Sequence, residues 1–186
     1  MRFILTYDGP LPPNGNALAK NHIRRELHPQ LEQLWQIEYP LATQRGIHPA
    51  LRGLRNEHSF VPIVTAELSL VCQLDVLLLQ PGEPGRIIHG YGGDLDNRLK
   101  TLFDSLGVPD GNQLAGLPTL NPATTETTTT YVLLEDDSRI TRLGVHTEKL
   151  LRPIAAPDHV SIVITVTVRP TKVTEQNLFF LGGWLS

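Results

Sequence analysis

The chain has 186 residues, 40% of them hydrophobic, and a formal net charge of −3 at pH 7. This length suffices for one ordinary domain with its own core, and the hydrophobic content excludes a disordered chain. The negative charge argues against a protein that binds nucleic acid through a broadly basic face. No apolar run approaches the roughly 18–20 residues that cross a membrane, and the first residues do not resemble a signal peptide. We therefore expect a cytoplasmic protein with no membrane partner.

The chain contains a single cysteine, Cys72, inside the apolar stretch LSLVCQLDVLLL. One cysteine cannot form an internal disulfide or, alone, a thiolate metal cluster. Its surroundings predict a small buried hydrophobic residue rather than a reactive thiol.

The N-terminal part reads as a strand followed by a helix. Residues 2–7, RFILTY, are typical of a short strand, and a loop rich in proline and glycine follows them. Apolar residues at helical spacing then predict a helix, which Pro29 must start, kink or divide: Ile23, Leu27, Leu31, Leu34 and Trp35. Residues 40–60 are expected to form an irregular connection.

From residue 62 onward the chain has several predicted strands and one clear helix. Residues 62–80 have period-two alternation, which predicts one long strand or two consecutive ones. Residues 94–107 have the pattern of an amphipathic helix in which Gly107 takes the position just past the last helical residue. Residues 131–150 read as strand, acidic turn and strand, and residues 159–168 give the clearest strand pattern.

Two segments fit no regular element. Residues 108–130 form an inserted loop, and the C-terminal NLFFLGGWLS is apolar enough to dock on the body or on a second copy. The order of elements predicts a single α+β domain over residues 1–186. We expect a mixed β-sheet with helices packed mainly on one face.

The predicted helix begins with closely spaced carboxylates after a glycine run, in GYGGDLDNRLK. Asp94 or Asp96 could simply cap the helix, because acidic groups stabilise its positive end. Asp96, Lys100 and Asp104 would form an i,i+4 stripe opposite the leucines, with Asn97 beside it. An ordinary solvated face has the same pattern, so the helix alone leaves both interpretations open.

A second acidic group, Glu135, Asp136 and Asp137, lies between two predicted strands. These residue types are common in turns, yet adjacent carboxylates repel one another unless a positive charge is near. If this turn lies beside the helix start, Asp136 and Asp137 converge with Asp94 and Asp96 and need a cation. Hard oxygen ligands select Mg²⁺, Mn²⁺ or Ca²⁺.

Such a cluster matches metal-assisted phosphodiester hydrolysis. A bound ion supplies hydroxide at neutral pH and stabilises the attacking and leaving oxygens. Lys100, one turn into the helix, is suited to meet a phosphate or a developing negative charge.

These two motifs together resemble the RusA family of Holliday junction resolvases. The family signature is Asp-Leu-Asp-Asn, a lysine three residues later, and a downstream Asp-Asp before a strand; here these are DLDNRLK and EDDSRI. The opening GPLPPNGN is also similar to that family. The likeness covers residues 1–16, roughly 62–107 and 131–169, in the family's order.

The resemblance implies a set of roles for these side chains. Asp94, Asp96 and Asp137 would be the catalytic, metal-binding carboxylates, with Asp136 as adjacent support and Lys100 assisting catalysis. It also implies Mg²⁺ (or Mn²⁺), a homodimer and branched DNA as substrate. The candidate contacts to DNA phosphates are Lys100, Arg98 and Asn97.

Two other functions stay open at this point. The acidic net charge and the 108–130 insertion suit a protein of the same fold that binds junctions without cutting them. The Asp94-x-Asp96 pair could instead be the metal motif of a sugar-nucleotide transferase, although there it normally ends a strand rather than opening a helix. The seven histidines have no zinc-ligand spacing, and no phosphate-binding P-loop motif occurs.

Overall fold

The computed structural model describes residues 1–38, 41, 53–55, 58–81, 95–114, 117, 129–152, 156 and 158–184. The helices there are α1 (Ala17–Ile37) and α2 (Leu95–Leu106). The strands are β1 (Arg2–Pro10), β2 (Gly53–Arg55), β3 (His58–Val64), β4 (Leu70–Gln80), β5 (Thr129–Leu134), β6 (Ile140–Lys149) and β7 (His159–Pro170).

The strands form two sheets. The larger one has the order β1-β7-β4-β6, and the smaller one has the order β2-β3-β5. Strand β6 runs parallel to β4, and β5 runs parallel to β3, whereas the other neighbours are antiparallel. The predicted α+β fold with a mixed sheet is therefore confirmed.

The core lies between the helices and one face of the larger sheet. Alternate residues of β4 and β7 point into it, and Cys72 among them is fully buried, as expected. Leu102 and Leu106 of α2 and the apolar stripe of α1 complete this core. Each such side chain contributes about 1.5–3 kcal/mol on burial, so the alternation largely decides which face the helices cover.

The predicted N-terminal helix is present and begins at Ala17. The Asn16 side chain caps it by accepting a hydrogen bond from the Ala19 N–H at 3.0 Å. Pro29 stands inside the helix, whose buried stripe includes Leu31 and Trp35. Within the described residues, neither helix has the length and apolar character of a membrane span.

The alternation over residues 62–80 corresponds to two strands rather than one. A turn separates β3 from β4, with the Leu70 N–H bonded to the Thr65 carbonyl and Ser69 in the left-handed region at φ 51°. Strand β3 begins at His58, and β2 precedes it, so the expected irregular connection over 40–60 contains strand structure. All seven residues of β3 are buried, which explains why its pattern does not alternate.

The acidic turn also joins two different sheets. Strand β5 belongs to the smaller sheet and β6 to the larger one, and a short 3₁₀ turn, Asp137–Arg139, links them. The C-terminal segment docks on the body as predicted, because Phe180 is fully buried in the core. Most of the 108–130 insertion lies outside the described residues.

His28 of α1 links this helix to the smaller sheet. Its Nδ1 accepts a hydrogen bond from the Tyr131 N–H at 3.0 Å, and the two rings stack with centroids 5.7 Å apart. Burial lowers the pKa of His28, with Glu32 opposing the shift weakly at 4.0 Å. The neutral ring is therefore the form that the fold favours.

This hydrogen bond predicts a pH-dependent stability. The unfolded chain takes up a proton on His28 at about pH 6.5, while the folded chain resists it, so the free energy of unfolding falls as pH drops below that value. His28→Asn keeps an acceptor oxygen but cannot titrate. Urea unfolding at pH 7.5 and 5.5 should show a smaller loss for His28→Asn than for the wild type. Equal losses would show that His28 does not carry the effect.

Candidate acidic site

A buried arginine of α1 holds the C-terminal end of α2. The Arg24 guanidinium donates to the Gly107 carbonyl at 3.0 Å and to the Asp104 carbonyl at 2.6 Å. Burial lowers the pKa of Arg24 to about 10, so it stays charged near neutral pH. A second cation of α1, Lys20, pairs with the Asp104 carboxylate at 2.6 Å. These bonds satisfy carbonyls that a helix end leaves without partners.

A second arginine holds the start of α2. Arg98 is 3% exposed; it donates to the Leu11 carbonyl at 2.6 Å and pairs with Asp158 at 3.0 Å. The Thr101 hydroxyl also accepts a hydrogen bond from the Gly15 N–H at 2.8 Å. The expectation that Arg98 contacts a DNA phosphate is therefore corrected, because its guanidinium is held inside the fold.

The opposite side of α2 faces solvent. Asp96 and Lys100 are exposed, and Asn97 is half-buried with its carbonyl accepting from the Asn14 N–H. Asp94 lies outside the described residues. The amphipathic pattern is thus confirmed, and it presents one acidic and one basic side chain a single turn apart.

The second acidic group is exposed on the turn before β6. Asp136 caps this turn, and hydrogen bonds from the Ser138 hydroxyl and N–H hold the pKa of its carboxyl below the usual range. Glu135 accepts from the Ala66 N–H at 2.6 Å, and Asp137 is exposed. Asp136 and Glu135 thus have structural roles, while Asp137 is presented to solvent.

The strand registers place the two acidic groups at opposite ends of the larger sheet. At one end β1 finishes opposite the start of β7 (Pro10↔His159), and β4 and β6 finish together. We call this the Asp96 end, since Arg98 reaches Leu11 and Asp158 there. At the other end β6 starts beside Cys72, directly after Asp137. We call it the Asp137 end.

The lengths of the elements that lie between the two groups indicate a large separation. From Cys72 to Gln80 the sheet extends by about 26 Å. Along α2 the start lies about 16 Å from Gly107, whose backbone bridges Leu134 just before the acidic turn. The expected convergence of Asp96 with Asp136 and Asp137 in one chain is therefore not found. Among the described residues, no three His, Cys, Asp or Glu side chains are placed to share a metal ion.

The Asp96 end carries an ionic cluster that the sequence did not reveal. The Asp8 carboxylate accepts two hydrogen bonds from Arg152, at 2.7 and 2.5 Å, and contacts His159 Nε2 at 2.6 Å. The hydrogen bond with His159, more than the arginine, holds the pKa of Asp8 below its usual range. Asp8 is far from both partners in the chain: the β1–β7 pairing brings His159 to it, and Arg152 reaches it from the segment between β6 and β7.

No family model, curated protein or solved structure matches this chain. The candidate residues therefore stand on their own chemistry and placement.

The burial of Arg98 predicts a clear stability difference along α2. Arg98→Met leaves the Leu11 carbonyl without its donor, so we expect the free energy of unfolding to fall by about 2–3 kcal/mol. Lys100→Met, on the exposed face of the same helix, should change it by less than about 0.5 kcal/mol. Urea unfolding of both variants measures this difference, and similar losses would contradict the anchoring role.

Proposed function

We propose that this protein is a Mg²⁺-dependent endonuclease that hydrolyses phosphodiester bonds in branched DNA such as a four-way junction, and that it acts as a homodimer. The observation that carries the proposal is the division of α2. The helix buries Leu102, Leu106 and Arg98 but presents Asp96 and Lys100 to solvent at the end of the sheet. The resemblance of this segment and EDDSRI to the RusA family supports the same chemistry.

The side chains proposed for the metal suit a hard cation. Carboxylates, here those of Asp94, Asp96 and Asp137 with Asp136 next to Asp137 in the chain, are the ligands that Mg²⁺ or Mn²⁺ prefers. A bound ion would supply an activated water and stabilise the leaving oxygen. Lys100 is one turn from Asp96, so its ammonium can pair with the phosphate that is being cut.

The homodimer has a geometric reason. Because Asp96 and Asp137 occupy opposite ends of one chain's sheet, a metal site that contains both must draw them from two chains. Two-fold symmetry then creates two such sites. Two sites match the two cuts that separate a four-way junction.

A junction-binding protein without cleavage is the second candidate. The separation of the two acidic groups favours this candidate if dimer formation does not bring them together. The acidic net charge limits DNA affinity for both candidates. A sugar-nucleotide transferase is disfavoured, because Asp96 lies in the first turn of an amphipathic helix.

The first test is cleavage of a four-way junction with Mg²⁺. Asp96→Asn removes a metal ligand and should lower the rate by about 100-fold or more. Asp104→Asn is the matched control on the same helix, and it should retain most of the activity. Equal cleavage by wild type and Asp96→Asn, or no cleavage of any structured DNA by wild type, would refute the nuclease.

The second test asks whether the site is shared between chains. Asp96→Asn and Asp137→Asn should each be inactive alone. Mixing them creates heterodimers with one intact shared site, so nicks in a single strand should return. If the mixture stays inactive while wild type cuts both strands, the site is not shared, although the nuclease proposal survives.

A further inference from the structure

The two edge strands of the larger sheet differ in whether a further strand could pair with them. Strand β1 is blocked, because the Gln30 side chain of α1 accepts from the Thr6 N–H at 2.9 Å and donates to the Thr6 carbonyl at 2.7 Å. This amide takes the place that another strand would occupy. Strand β6, within the described residues, pairs with β4 alone. An open strand of this kind is a template for pairing with a further strand.

The open strand is regular and partly apolar. The register shift near its start falls between Cys72 and Gln73 and leaves residues 142–149 in continuous pairing with β4. Leu143 is 43% exposed, and Val145 beyond it is half-buried. Neither proline nor a second bulge interrupts these residues, so nothing in the strand itself prevents pairing.

We propose that β6 pairs antiparallel with β6 of a second copy, with Val145 on the two-fold axis. The two larger sheets then form one continuous sheet with all helices on the same side. In this register Arg142 lies opposite Glu148 of the partner, twice by symmetry. Gly144 lies opposite His146 of the partner.

Charge complementarity selects this register. Arg142 and Glu148 are on the same outer face, and their side chains are 59% and 52% exposed, so they stay within reach although each has a contact in its own chain, with Asp75 and His146. Moving the axis to Gly144 puts Arg142 opposite His146, and moving it to His146 puts two histidines face to face. Only the axis at Val145 pairs both charges with their opposites.

The solvent-facing side of the larger sheet next to the proposed two-fold axis also has room for a side chain of a second copy. A shallow pocket of about 420 Å³ lies there, lined by Leu77, Gly144, His146 and Val163, with Asp75 and Thr165. A Cβ at Gly144 would stand 2.5 Å from the Asp75 carboxylate, so glycine keeps this side open. The His146 ring of the partner, opposite Gly144, would cover that opening.

The pairing has a consequence for the acidic groups. Because the strands are antiparallel, the Asp137 end of one copy lies beside the Asp96 end of the other. This consequence rests on the proposed function, whereas the pairing itself depends only on β6.

A charge-exchange experiment tests the pairing. Arg142→Glu and Glu148→Arg each place like charges opposite one another twice, and each should raise the dimer dissociation constant about tenfold or more. Mixing the two variants restores both pairs, so heterodimers should form with nearly wild-type affinity. Lys172→Glu, exposed and outside β6, is the control and should not change the affinity. Sedimentation equilibrium measures these four samples and the wild type.

Several results would overturn the pairing. A wild type that is monomeric at about 100 μM, single variants that dimerise normally, or a mixture that does not recover would each do so. Hydrogen exchange provides a readout without any variant. Alternate amides of residues 142–148 should exchange more slowly as wild-type concentration rises, and concentration-independent exchange would refute the pairing. Neither readout depends on cleavage, so failure here is distinct from failure of the nuclease proposal.

Discussion

The position of α2 depends on a buried guanidinium. Arg24 loses its hydration inside the core, and the partly negative carbonyls at the end of α2 offset that cost. Arg98 fixes the N-terminal end of α2 in a similar way, because it donates a hydrogen bond to the Leu11 carbonyl just after β1. With both ends fixed, the leucines between them can be buried in only one orientation. Interactions on the buried face of α2 therefore determine which of its residues are exposed to solvent.

This anchoring sets where the two acidic groups lie. Once α2 is fixed, Asp96 belongs to the end of the sheet where β7 starts, and the acidic turn belongs to the end where β6 starts. Under the proposed function a second chain would supply the carboxylates that each group lacks. Strand β6, the edge of the larger sheet that no described residue blocks, is placed to bring that chain in.

Local sequence patterns predicted much of the fold and little of the site's geometry. The alternation of β4 and β7, the leucine spacing of α2 and the burial of Cys72 follow from periodicities of two and 3.6 residues, which fix the buried face. The assignment of β5 and β6 to different sheets is non-local and leaves no such pattern. The same holds for Arg98, whose charge suggests a surface residue until Leu11 and Asp158 are placed around it. The Asp8–His159 contact joins residues from separate strands.

The distance between residues 96 and 137 in one chain decides whether a single chain can gather both acidic groups. Nitroxide labels on Asp96→Cys and Asp137→Cys report it by pulsed electron resonance, after dilution with unlabelled protein to suppress contacts between copies. Burial raises the pKa of the Cys72 thiol to about 12, so this cysteine does not compete for the label. The placement of the two acidic groups at opposite ends of the sheet predicts a separation of about 20 Å or more. A separation below about 10 Å would mean that one chain gathers both acidic groups, and it would rule out their placement at opposite ends of the sheet.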